Sequence, residues 1–220
     1  MTTIRIRRLP AYPGPDLVIH NAEELARTFF KYDLSGGFGL AVGDPHAVNL
    51  EDIRTLNTVM RARSSHRWWS DLTGAGPLLW LRAIDPGWDL IEMENEMWHG
   101  QARESASAAL QKTIQAQRGR AVATKLLHMK RHRLFPILDG LVVQQLGAPT
   151  EGGPQPIVLM DHLRSEGRRN FGGLQEVQGL LRKETGFRSL IRILDALLWS
   201  AHPASSMAPN LTSWVRSFGT

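Results

Sequence analysis

An aspartate just beyond a run of cations is the most chemically suggestive feature of this sequence. From Arg118 to Asp139 the chain reads RGRAVATKLLHMKRHRLFPILD. Arg118, Arg120, Lys125, His128, Lys130, Arg131 and Arg133 supply positive charge, and no acidic residue occurs from Ser105 to Leu138. A segment this lopsided creates a local positive field that draws phosphates and other anions. Pro136 is placed to open a helix, which puts Asp139 in the first turn, where the helix dipole favours negative charge. A carboxylate there can stabilise a developing cation, orient water or act as a general base. It can equally cap its helix or pair with Arg131 or Arg133. The cations have a rival partner within the chain, the acidic run Asp85, Asp89, Glu92, Glu94 and Glu96. If that run pairs with them, the basic segment is a solvated face and no binding surface.

Aromatic residues offer a second line of chemistry. Seven tryptophans are many for this length, and most are expected to fill the core at helix junctions. Trp68 and Trp69 are adjacent, so at least one should leave the core. Trp69, near His66 and Arg67, is the candidate for stacking on a base, with core packing as the other possibility. His128 and His132 are four apart and share a helix face, but no third ligand and no His-Glu-x-x-His pattern accompany them. With no cysteine in the chain, thiolate metal sites, disulfides and cysteine nucleophiles are excluded. No metal and no cofactor is expected.

The elements that must position these residues are helical. Apolar residues make up 42% and charged residues 21% of the 220, an ordinary globular balance with a net charge of +5. Asn21 with Glu24, and Asn49 with Asp52, have capping-box spacing ahead of apolar stripes at 22–31 and from Leu50 to Met60. Further helical patterns cover 92–117, 120–131, 136–146, 157–169, 174–184 and 189–200, with short pieces near 66–72 and 78–84. Strand signals are nearly absent beyond Thr3–Arg7, where Ile4 and Ile6 alternate with arginine. The expected fold is an all-α globule of two lobes with about eight to ten helices. Residues 1–20 read as an extended arm, 21–202 as one helical domain and 203–220 as an irregular tail. No stretch approaches a membrane span and no signal peptide opens the chain, so a cytoplasmic protein is expected.

Thr124-Lys125-Leu126-Leu127-His128, Lys130-Arg131, Arg133-Leu134, Pro136-Ile137 and Asp139, with Arg192-Ile193-Leu194-Asp195-Ala196-Leu197-Leu198-Trp199, resemble the signature of an actinobacterial family of unknown function. The resemblance covers roughly Phe29 to His202, with His132 standing where that family usually has proline. It implies no activity. A more distant similarity is to the helix-hairpin-helix DNA glycosylases, which are two-lobed and all-α. They place a glycine-containing hairpin, a helix, a short loop and then an essential aspartate at the next helix. Gln117-Arg118-Gly119-Arg120, the helix to Arg131, and Pro136 to Asp139 are similar in layout. Bifunctional members carry a lysine nucleophile where Arg120 stands, and their hairpin has two glycines where this chain has one. A guanidinium forms no Schiff base, so the similarity implies a monofunctional enzyme.

The expected function is therefore a nucleic-acid-binding helical protein of glycosylase-like architecture and, at its most specific, a monofunctional N-glycosidic hydrolase. DNA is the partner, and Asp139 the catalytic carboxylate. Two other readings fit the same residues: a non-enzymatic helical binding module, or an enzyme acting on an anionic small molecule held by the basic segment.

Overall fold

The computed structural model describes residues 1–32, 43–60, 62, 64, 69–73, 75–117, 119–184, 186–205 and 215–217. The fold is all-α with one small sheet. Its chain forms two compact units, one from Met1–Gly36 with Asp139–Thr220 and one from Gly37–Leu138.

In the first unit, β1 (Ile4–Ile6), β2 (Leu17–Ile19) and β3 (Val215–Ser217) form an antiparallel sheet in that order. Ile4 pairs with Ile19 and Ile6 with Leu17, and all four are buried while Arg5 faces solvent. The expected strand at Thr3–Arg7 is thus present. The C-terminal stretch expected to be irregular contributes β3, which pairs with β2 through Leu17 opposite Ser217.

Among the described residues, five helices complete this unit: α1 (Ala22–Tyr32), α8 (Gly140–Gln145), α9 (Pro156–Arg169), α10 (Phe171–Glu184) and α11 (Leu190–Ala201). Helix α11 is apolar on nearly every side and packs against α1, α8, α9 and α10, as a helix without a polar face must. Asn21 precedes α1 with φ 51, a left-handed conformation that asparagine tolerates, in place of the extended geometry of an N-cap. Its carbonyl accepts from the N–H groups of Glu24 and Leu25.

Helix α9 protects the free edge of β1. His162, Glu166 and Asn170 are four apart, about 6 Å per step along the helix, and match the roughly 6.8 Å between alternate strand residues. Arg5 N–H donates to Asn170 Oδ1 (3.0 Å), and Asn170 Nδ2 donates to Arg5 O (2.7 Å). Arg7 N–H donates to Glu166 Oε2 (2.9 Å), and His162 Nε2 to Arg7 O (2.9 Å). An edge strand that would otherwise offer unpaired backbone groups is closed by side chains.

The second unit holds α2 (Leu50–Thr58), α3 (Ser70–Thr73), α4 (Leu79–Arg82), α5 (Asn95–Met97), a π-helical turn (Trp98–Ala102), α6 (Arg103–Gln117) and α7 (Arg120–Lys130). The Asn49–Asp52 capping box forms as expected: Asp52 N–H donates to Asn49 Oδ1 (2.9 Å) and Asn49 N–H to Asp52 Oδ2 (2.8 Å). Helices α6 and α7 form a hairpin with two residues between them and pack against each other, and Ala106 and Ala109 of α6 are fully buried.

One boundary differs from expectation. Pro136 does not open a helix, and α8 begins at Gly140 with Asp139 as its N-cap. The preceding loop is strapped to α7 by side chains. His128 Nδ1 donates to Phe135 O at 2.6 Å, and Leu138 N–H donates to Thr124 Oγ1 at 3.1 Å. The first of these bonds engages the Phe135 carbonyl, which a helix opening at Pro136 would need for its first turn.

Candidate functional site

The structure separates the cations of the basic segment by burial. Lys130 lies in the interior of its unit, with neither its side chain nor that of Asp52 exposed. Its ammonium donates to Asp52 Oδ1 and Oδ2, both at 2.7 Å, and to Asp44 O at 3.0 Å. Those three bonds use the full donor capacity of a lysine. Burial pushes the Asp52 carboxyl up, against the opposing pull of Lys130 and the Asn49 N–H.

Arg131 is also buried and holds the loops of its unit together. Its Nε donates to Ile84 O (3.0 Å), Nη1 to Pro45 O (2.9 Å) and Lys130 O (2.8 Å), and Nη2 to Leu81 O (2.8 Å). The Nδ1 of His46 accepts from Nη2 at 3.1 Å. The acceptors are neutral, and burial draws the guanidinium below its ordinary value, with Asp85 pulling the other way.

Five of the residues singled out in the sequence are therefore corrected. Lys130 and Arg131 are committed to interior partners and are no phosphate contacts. His128 is fully buried beneath the 135–138 loop, so it cannot reach an external anion. His132 lies beyond the end of α7 and shares no helix face with it. Trp69 is fully buried, and its Nε1–H donates to Ser64 Oγ at 3.0 Å, which removes it as a base-stacking platform.

Three cations keep partial exposure. Arg133 pairs with Asp89 (3.1 Å) and Glu92 (2.9 Å), so the acidic run does neutralise the basic segment at this position. Lys125 reaches Met60 O at 2.8 Å. Arg120 opens α7, where burial lowers its guanidinium, and Gly119 caps that helix with no side-chain bond. Arg118 lies outside the described residues.

Asp139 is half-buried and belongs to the other unit. Its Oδ1 accepts from Val142 N–H at 3.1 Å, the usual N-cap bond. No other hydrogen bond reaches this carboxylate from any described residue.

A neighbour that the sequence did not suggest is His202, at the end of α11. Its Nδ1 accepts from Ala204 N–H at 3.1 Å, so the neutral ring carries its proton on Nε2. Burial lowers its pKa, and the negative charge of Asp139 opposes that shift. Nothing local marks His202, because its position depends on how α11 packs against α8.

Among the described residues no cluster of three or more histidine, aspartate or glutamate side chains could hold a metal. None of the described helices is long and apolar enough to cross a membrane.

Residues 16–202 match the family of unknown function DUF6308, and the chain belongs to that family. No curated protein and no solved structure matches it.

Proposed function

We propose that this DUF6308 protein is a nucleic-acid-binding protein of glycosylase-like architecture that hydrolyses an N-glycosidic bond with Asp139 as its carboxylate. The observation that carries this reading is Asp139 itself. Its Oδ1 is fixed by the Val142 N–H while Oδ2 is left without a bond from any described residue. The order of elements supports it: the α6–α7 hairpin, a strapped loop, and then the aspartate at the start of α8.

In the reaction, the C1′–N bond breaks with its electron pair going to the departing base. The Asp139 carboxylate stabilises the oxocarbenium-like sugar and takes a proton from the attacking water, whose oxygen bonds to C1′. Arg120 stands where a Schiff-base lysine would be needed, so strand cleavage by β-elimination does not follow.

With Lys130, Arg131 and His128 in the interior, fewer cations remain for the phosphates than the sequence suggests. With Arg133 neutralised by Asp89 and Glu92, Arg120 and Lys125 give a slope of log K against log salt near −2, at roughly 0.9 per contact.

The test is abasic-site formation in duplex oligonucleotides carrying uracil or alkylated purines, read as alkali-dependent strand breaks. Wild-type protein should form them, and Asp139→Asn should bind the same DNA without forming them. Absence of product across the panel, or product undiminished in Asp139→Asn, refutes the proposal.

A further inference from the structure

A half-open pocket of about 390 Å³ lies in the first unit, between the N-terminal segment and α9. Arg7, Arg8, Gly14, Asp16, His162 and Ser165 are among its lining residues. Its volume suits a small ligand.

The pocket contains an unresolved electrostatic demand. Arg7 Nε donates to Glu166 Oε1 at 3.0 Å, on a carboxylate that also pairs with Arg169. Arg8 and Asp16 both line the pocket, yet neither makes a hydrogen bond or ion pair with any described residue. His162 Nε2 donates to Arg7 O, and no hydrogen bond links His162 to Arg8 or Asp16.

Arg8 is also held in place. A Cβ on Gly14 would come within 2.9 Å of Arg8 Cδ, and one on Gly147 within 3.1 Å of the same atom. Gly147 has φ 89, a conformation that favours glycine. Two residues without side chains therefore form the slot through which the Arg8 stem runs. A guanidinium seated this way loses little freedom on binding an oxyanion, which it meets with parallel N–H donors. A lone carboxylate in the same pocket repels an anion and accepts only from donors, so a simple anion satisfies half the site.

We propose that this pocket binds a small zwitterion, with an anionic oxygen group on Arg8 and an ammonium group on Asp16. The site shares no residue with the proposed hydrolysis, so each stands or falls alone.

The experiment is a titration of the full chain followed by backbone amide NMR. The probes are acetate, inorganic phosphate, ethanolamine, γ-aminobutyrate and phosphoethanolamine. At least one zwitterion should bind about tenfold more tightly than its anion alone or than ethanolamine, equivalent to about 1.4 kcal/mol. The shifts should centre on Leu9, Gly14 and Ser165. Comparison of γ-aminobutyrate with phosphoethanolamine tells a carboxylate from a phosphate ligand. Asp16→Asn should reduce the favoured zwitterion to the level of its anion, and Arg8→Gln should abolish both. The assignment is overturned if no zwitterion exceeds its halves, if the shifts fall elsewhere in the wild-type protein, or if Asp16→Asn keeps the preference.

Discussion

Replacing Lys130 by methionine distinguishes a surface cation from an interior one. Methionine keeps the length and apolar stem of the side chain but removes the ammonium. Asp52, whose side chain is also fully buried, is then left with an uncompensated charge and, among the described residues, only the Asn49 N–H as a donor. Breaking one side of a buried pair costs about 3–5 kcal/mol, most of it the penalty of the stranded charge. The carbonyl of Asp44 loses its donor as well. In the double variant Lys130→Met/Asp52→Asn, the charge is gone and the asparagine Oδ1 can still accept from Asn49 N–H. The double variant should recover about 2 kcal/mol or more of the sum of the single losses. Urea unfolding followed by far-UV circular dichroism and tryptophan fluorescence reads the cycle, provided the slope with denaturant stays constant. A Lys130→Met protein within about 1 kcal/mol of wild type, well short of the buried-pair cost, would refute the interior assignment. So would additive single losses. A drop in DNA affinity with stability unchanged would restore Lys130 as a phosphate contact.

Three further outcomes follow from the same geometry. Trp69→Phe should cost about 1–3 kcal/mol through the lost bond to Ser64 and the space left by the smaller ring, with DNA affinity unchanged in a binding titration. Glu166→Gln removes the charge that Arg7 and Arg169 share and weakens the closed edge of β1; hydrogen exchange at the Arg7 amide should accelerate, and protection equal to wild type would count against that role. The neutral rings of His132 and His202 are favoured in the fold, since burial lowers both from 6.5. The unfolded chain therefore takes up more protons below that value, and stability should fall as pH drops through and below about 6.5. Melting temperatures of His132→Gln/His202→Gln should show a flatter profile on the acid side.

The sequence by itself determined the helical class and most element positions. Spacing of apolar residues set α1, α2, α7, α9, α10 and α11 to within a few residues, and the Asn49–Asp52 box formed as its residue types require. Such features depend on neighbours three or four positions away, so local chemistry is sufficient to read them. The bond from Thr124 and that from His128 to the 135–138 loop lie at middle range, and they moved the start of α8 from Pro136 to Gly140. Only the tertiary structure decided which cations face solvent. Lys130 and Arg131 look like surface residues by type, but their partners Asp52, Ile84 and Leu81 lie 47 to 78 positions away in the chain. The approach of His202 to Asp139, and the slot that Gly14 and Gly147 make for Arg8, are likewise products of long-range packing. Charge is written in each residue; whether it is buried, paired or left for a ligand depends on segments that meet only once the chain has folded.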